Sequence, residues 1–179
     1  HRDSVATVND LLRLHNIPGI EEIDTRQITR NVRELGTVLC VFGPIDKEEL
    51  LRDKLDELTS PELDDLVDLV SIKEPVMLNH QSSDELGKLK PRLAALDCGI
   101  KYNILRSLCH HFEVIWCPPD TPFKILVEEY QIDALFCSNG PGDPAHPGKA
   151  SAAKETLAMA VKSGYPVMGI CLGHQLMGL

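Results

Sequence analysis

Apolar positions change their rhythm partway along the chain. In the first part they recur at three- and four-residue intervals, as in helices that bury one stripe. VNDLLRLHN, residues 8–16, predicts a short helix closed by the IPGI turn. DTRQITRNVRELG predicts another, with Asp24 or Thr25 as N-cap, Ile28, Val32 and Leu35 on one face, and Gly36 at the stop. TVLCVFG, residues 37–43, is expected to be a strand. DKEELLRDKLDEL, residues 46–58, reads as an amphipathic helix with Leu50, Leu51, Leu55 and Leu58 turned inward, and VDLVSI continues it as a short element of open type.

SSDELGKLKP, residues 82–91, breaks that periodicity with Gly, Pro and charge, so the domain boundary is expected there, dividing the chain into 1–90 and 91–179. Beyond it, short runs that are apolar at nearly every residue alternate with helical patterns. RLAALD precedes a helix over 102–110 burying Ile104, Leu105 and Leu108; FEVIWC precedes one over 122–130; DALFC leads to a loop and a helix over 150–163; YPVMGI comes last. Strands apolar on both faces and separated by helices predict an α/β fold with a doubly wound, mostly parallel sheet. Such sheets place their sites beyond the carboxyl ends of the strands. The loops DCGIK, CSNGPGDP and GICLG are therefore expected to gather at one edge.

Composition narrows the partners. Across 179 residues the formal net charge is −9, which disfavours a nucleic-acid surface because phosphate contacts need clustered Lys and Arg. Ten of the 27 carboxylates lie within residues 46–68, read as a solvated helical face. There is no run of 18 apolar residues, so no membrane association is expected. The six cysteines contain no Cys-x-x-Cys pair and no histidine spacing suited to zinc, so no metal site and no disulfide framework is expected. Cys40, Cys98, Cys117 and Cys137 fall at strand-like stretches and read as small buried hydrophobes in a reducing compartment.

Cys171 is the exception. In GICLG it stands between an apolar strand and a helix, flanked at plus and minus two by Gly169 and Gly173. That pattern makes a sharp turn exposing the central side chain, and the glycines leave room for crossing backbones. A thiol so placed, at the positive end of a helix, is one whose anion is favoured. In SNGPGDP, proline between two glycines makes a rigid turn open to a ligand, and Ser138, Asn139 and Asp143 are able to bond backbone within it. One N–H of this loop and that of Leu172 would converge on an oxygen of a carbon attacked by Cys171, implying acyl transfer through a thioester.

The motifs ALDCGIKYNILRSL, LFCSNGPGDPA and PVMGICLGHQLMGL resemble, in order and spacing, the class I glutamine amidotransferase domain, whose fold is flavodoxin-like. NIPGIEEIDTRQITRNVRELG is similar to the N-terminal domain of carbamoyl-phosphate synthetase small chains, so the resemblance covers about two thirds of the chain, residues 46–87 lacking a signature. The resemblance implies that Cys171 attacks the carboxamide of L-glutamine, releasing ammonia. It further implies that Gly140 and Leu172 hold the oxyanion, that Gly142 and Gln175 contact the substrate, and that a large chain carrying the ATP and Mg sites uses the ammonia to make carbamoyl phosphate for arginine or pyrimidine synthesis. No cofactor is expected in this chain. The family's catalytic His and Glu lie downstream of the elbow, and its N-terminal domain begins earlier. The chain is therefore expected to be a fragment, inactive on its own, of a cytoplasmic enzyme, or of an organellar one in a eukaryote. Two other readings stand beside this one: another cysteine hydrolase on the same elbow, and a non-catalytic module that docks on the synthetase chain.

Overall fold

The computed structural model describes residues 6–36, 38–79, 83 and 87–179. The chain divides into two compact units, His1–Thr59 and Ser60–Leu179.

In the first unit the helices are α1 (Val8–Leu14), α2 (Thr25–Leu35) and α3 (Glu48–Asp56), the last preceded by a 3-10 turn at Ile45–Lys47. Local chemistry starts them. The Thr7 hydroxyl accepts the Asp10 amide while the Asp10 carboxylate accepts the Thr7 amide, a capping box. Asp24 is the N-cap of α2, accepting the Gln27 amide at 2.8 Å. None of the three helices buries a residue. Leu50, Leu55 and Leu58, expected inward, are exposed, and only Leu51 is half-buried, against Gly43. The strand expected over 37–43 does not form in its described part, residues 38–43. A β-rich composition makes a strand only where a neighbour completes its ladder, and among the described residues this unit holds no other strand. Cys40 is accordingly exposed rather than buried.

The second unit opens with a 3-10 turn at Pro61–Leu63 and the short helix α4 (Leu66–Val70), which VDLVSI had left open. A five-stranded sheet follows: β1 (Val76–Leu78), β2 (Arg92–Leu96), β3 (Glu113–Cys117), β4 (Ala134–Cys137) and β5 (Val167–Gly169), in the order β1-β3-β2-β4-β5. Four strands are parallel, and β1 lies antiparallel on β3. The connections carry α5 (Tyr102–His111), α6 (Phe123–Glu128) and α7 (Lys149–Lys162), and α8 (Leu172–Met177) follows β5. The expected helix over 122–130 is shorter because Gln131 turns the chain at φ 52°. The division between units falls well before residues 87–91, because α4 buries Val67 in the sheet's core and β1 adds a strand. β1 itself, three residues long, was not read from the sequence.

Successive strand residues point to opposite faces, and both faces are covered. Leu93 and Ala95 of β2 meet Leu105 of α5, with Ile104 and Leu108 half-buried beside it. Ala94 and Leu96 pack instead with Leu126 of α6, Ala153 and Leu157 of α7, and Leu172 and Leu176 of α8. Two-sided burial explains why these strands are apolar at almost every position. The chain leaves β2 to one side for β3 and to the other for β4, so the winding switches between β2 and β4. Among the described residues no helix is long and apolar enough to cross a membrane.

Candidate active site

At the switch point the loops following β2, β4 and β5 interlock. Asp97, 2% exposed, ends β2 and turns its carboxylate back on the chain: Oδ1 accepts the Gly99 and Ile100 amides at 2.9 and 2.8 Å, and Oδ2 accepts Ile72 N at 3.0 Å. Ser138, fully buried after β4, accepts Cys98 N at 2.9 Å on Oγ and Gly173 N at 3.0 Å on its carbonyl. Asn139 donates from Nδ2 to Gly99 O at 2.9 Å. The loops after β2 and β4 are thus bonded through the Ser138 and Asn139 side chains, and the loop after β5 is joined to them through the backbone carbonyl of Ser138.

Gly140 sits where these loops press together. A Cβ there would stand 2.1 Å from Cys98 O and 2.8 Å from Leu172 Cδ2. The position therefore excludes any side chain, and it brings the SNGPGDP loop into contact with the residue after Cys171. Gly142, exposed at φ +87°, lies beside Leu66 of α4. Asp143 Oδ1 accepts Ala145 N at 2.8 Å, the local bond expected of it.

The elbow takes the predicted form. Cys171 is exposed, with φ 51° and ψ −110°, a region costly to a residue with a side chain. The turn is as tight as glycine permits. A Cβ on Gly169 would lie 2.5 Å from Gly173 C, and one on Gly173 would lie 2.3 Å from Cys137 O. Gly173 N donates to both Ser138 O and Ile170 O, fixing the first turn of α8. Gln175 is exposed one turn later, its amide on Cys171 O at 3.0 Å. Among the described residues neither the Gly140 N–H nor the Leu172 N–H donates to a protein acceptor. The structure thus brings Cys171, Leu172, Gly140 and Gln175 to one strand edge, with Gly142 on the adjoining turn.

Cys98 and Cys137 lie below this surface, their sulfurs 3.7 Å apart and wholly buried. The neighbouring thiol and burial push the Cys98 thiol far up, so it is inert as a nucleophile. Among the described residues no cluster of three His, Cys, Asp or Glu is placed to hold a metal. Sequence reasoning missed the bracing roles of Asp97 and of Asp65 before α4. The available signals were Asp-x-Gly at a strand end and Asp-x-x-Asp at a helix start.

Comparison with known proteins follows the same division. Residues 94–179 match the family described as glutamine amidotransferase class-I, and residues 1–42 match the CPSase domain of the carbamoyl-phosphate synthase small chain. The carbamoyl phosphate synthase small chain of Methanocaldococcus jannaschii is 38% identical over 96% of this chain and 47% of its own length. The arginine-specific small chain of Phaeosphaeria nodorum is 36% identical over all of this chain and 35% of its own length. The multifunctional protein CAD of Squalus acanthias is 38% identical, the match spanning this whole chain and 7% of that protein. The chain spans just under half the length of the M. jannaschii small chain. With both matches in the order of the small chains and the elbow formed as the sequence requires, the chain belongs to the family of carbamoyl-phosphate synthase small chains, residues 94–179 lying in its class I glutamine amidotransferase domain.

Proposed function

We propose that this chain carries the nucleophile and oxyanion donors of a glutaminase that supplies ammonia for carbamoyl phosphate synthesis. The observation that carries this reading is the exposed Cys171 at its positive-φ turn, followed by Leu172 packed against Gly140 of a second loop, with neither the Gly140 nor the Leu172 N–H bonded to an acceptor among the described residues. Cys171 Sγ attacks the side-chain amide carbon of L-glutamine, and the developing oxyanion is held by the Gly140 and Leu172 amides. Each such donor is worth about 2.7–4 kcal/mol in the transition state. The C–N bond breaks with release of ammonia, and water hydrolyses the glutamyl thioester to glutamate, restoring the thiol. Gly142 and Gln175 border the substrate.

Proton donation to the leaving nitrogen and activation of water need a group that acts in turn as general acid and general base. The family resemblance assigns it to a His-Glu pair downstream of the elbow. Residues 1–179 alone therefore hydrolyse glutamine orders of magnitude more slowly than an intact amidotransferase. A large chain binding ATP and Mg consumes the ammonia, in the cytoplasm or an organelle. The exposed Ile28, Val32 and Leu35 of α2, within the stretch matching the small-chain CPSase domain, support docking of the first unit on that partner. No cofactor is required in this chain.

A chloromethyl ketone analogue of glutamine separates this reading from its competitors. Residues 1–179 should be alkylated at Cys171 with a rate that saturates in the analogue and is slowed by L-glutamine, whereas Cys171→Ser should keep only slow, non-saturating alkylation at the exposed Cys40. Reaction without saturation, no faster than with iodoacetamide, would refute the glutamine site and leave a different cysteine hydrolase or an idle docking module.

A further inference from the structure

Residues 46–87, the stretch without a family signature, contribute a brace to the site. Asp65 is the N-cap of α4, its Oδ1 accepting Asp68 N at 3.1 Å. Its other oxygen, Oδ2, accepts Lys149 N at 2.8 Å, in the first turn of α7. One carboxylate thus satisfies amides at the starts of two helices, where negative charge is favoured by both backbones. Gly148 makes this approach possible, since a Cβ on it would lie 2.0 Å from Asp65 Oδ2. Lys149 is also paired through its side chain with Asp120, and lies 3.9 Å from Asp68.

The consequence reaches the site through the next residues. Leu66 side-chain atoms lie 3.6–4.0 Å from the Cβ position of Gly142, and Val70 Cγ2 lies 3.0 Å from that of Gly99. α4 therefore runs along both the loop after β2 and the loop after β4. Its far end is held by Ile72 N on Asp97 Oδ2. The loop carrying Gly140 and Gly142 is fixed at its start by Ser138 and Asn139, and at its end by Asp65 gripping residues 148–149.

We infer that Asp65 is a positioning residue for the glutamine subsite, holding Leu66 and the 139–148 loop in register so that Gly140 and Gly142 face the substrate. This rests on the amidotransferase reading above. Asp65→Asn isolates the effect. Asparagine caps a helix as well as aspartate does, but Asp68 N and Lys149 N bond different oxygens of Asp65, and in asparagine one of those places is taken by an NH2 group that cannot accept. Asp65→Ala removes both bonds.

The test is alkylation of residues 1–179 by the chloromethyl ketone analogue of glutamine, beside alkylation by iodoacetamide, which needs only an accessible thiol, both read at Cys171 by peptide mass because Cys40 is exposed as well. Both variants should raise the analogue concentration giving half-maximal rate, by about fivefold or more for the loss of one charge-assisted hydrogen bond. Their iodoacetamide rates should stay within about twofold of the parent, as expected of a change that leaves the thiol's own chemistry alone. If the folded Asp65→Asn protein reacts with the analogue as the parent does, Asp65 does not position the site. Equal slowing with both reagents would mean general disorder and also overturns the inference. If the parent itself shows no saturation, the glutamine reading has failed and this inference falls with it.

Discussion

Replacing Cys171 by glycine and, separately, by alanine tests whether the elbow is strained. Both variants lose the same exposed thiol, so the comparison cancels side-chain contacts and isolates the backbone. In ordinary helical or extended backbone, alanine is the more stable of the two by about 0.5–1 kcal/mol, since glycine loses more freedom on folding. At φ 51°, ψ −110° the order must reverse. A residue with a Cβ held in a sparsely populated region costs about 1–3 kcal/mol. Subtracting glycine's entropic handicap leaves Cys171→Gly ahead of Cys171→Ala by about 1–2 kcal/mol. For a unit the size of Ser60–Leu179 that difference separates the melting temperatures by about 3–10 °C. Urea unfolding followed by far-ultraviolet circular dichroism gives the free-energy difference directly, and thermal melts give the second measure. If alanine proves equal to or more stable than glycine, position 171 is unstrained and the argument for an elbow built to present a nucleophile loses its energetic basis.

Gly173→Ala places a methyl 2.3 Å from Cys137 O, which is itself held by Ile170 N, so about 2–3 kcal/mol should be lost in denaturant titration. Gly178→Ala, whose nearest neighbour would be 3.4 Å away at φ −88°, should stay within about 0.5 kcal/mol of the parent. Cys117, pushed up to about 12 by burial, keeps its proton in the fold while the unfolded chain releases it near 9. Its contribution is complete below pH 9 and declines as pH rises toward 12, at about 1.4 kcal/mol per pH unit. Cys117→Ala should therefore flatten the fall in unfolding free energy between pH 9 and 10.5, and an unchanged slope would show that the thiol titrates freely.

How much of this was readable beforehand follows from where each residue's free energy comes from. Strands β2, β3 and β4 were legible because burial on two faces forces residues such as Leu93, Ala94, Ala95 and Leu96 alike to be apolar, whereas β5 keeps an apolar run although Met168 is exposed. The elbow was legible because Gly169 and Gly173 are demanded by backbone collisions that no other residue avoids. The stretch 38–43 misled because strand propensity records a side chain's fit to a neighbour, and among the described residues no neighbour pairs with it. Leu50, Leu55 and Leu58 misled in a related way, since an amphipathic stripe states that a face wants cover without saying what covers it. Asp65 and Asp97 were invisible for the opposite reason. An acid in a polar loop reads as solvated, and only the fold reveals amides from elements 25 and 84 residues away converging on it.

Those two carboxylates explain how the elbow's strain can persist. A costly backbone at residue 171 relaxes unless its surroundings are stiffer than the turn itself. Here the stiffness is supplied by bonds that do not involve Cys171. Gly173 N is held by two carbonyls, one of them on Ser138; Ser138 Oγ holds Cys98 N; Asp97 holds the amides beyond Cys98 and reaches Ile72. The chain of contacts then runs along α4 to Asp65 and back to the end of the loop that faces the thiol. It is a closed circuit around the three strand ends. The Gly140 and Leu172 amides lie inside that circuit, and among the described residues neither has a protein acceptor. Rigid support surrounding unspent donors beside an exposed sulfur is the arrangement that acyl transfer needs, since preorganised amides lose nothing to reorganisation when the oxyanion forms.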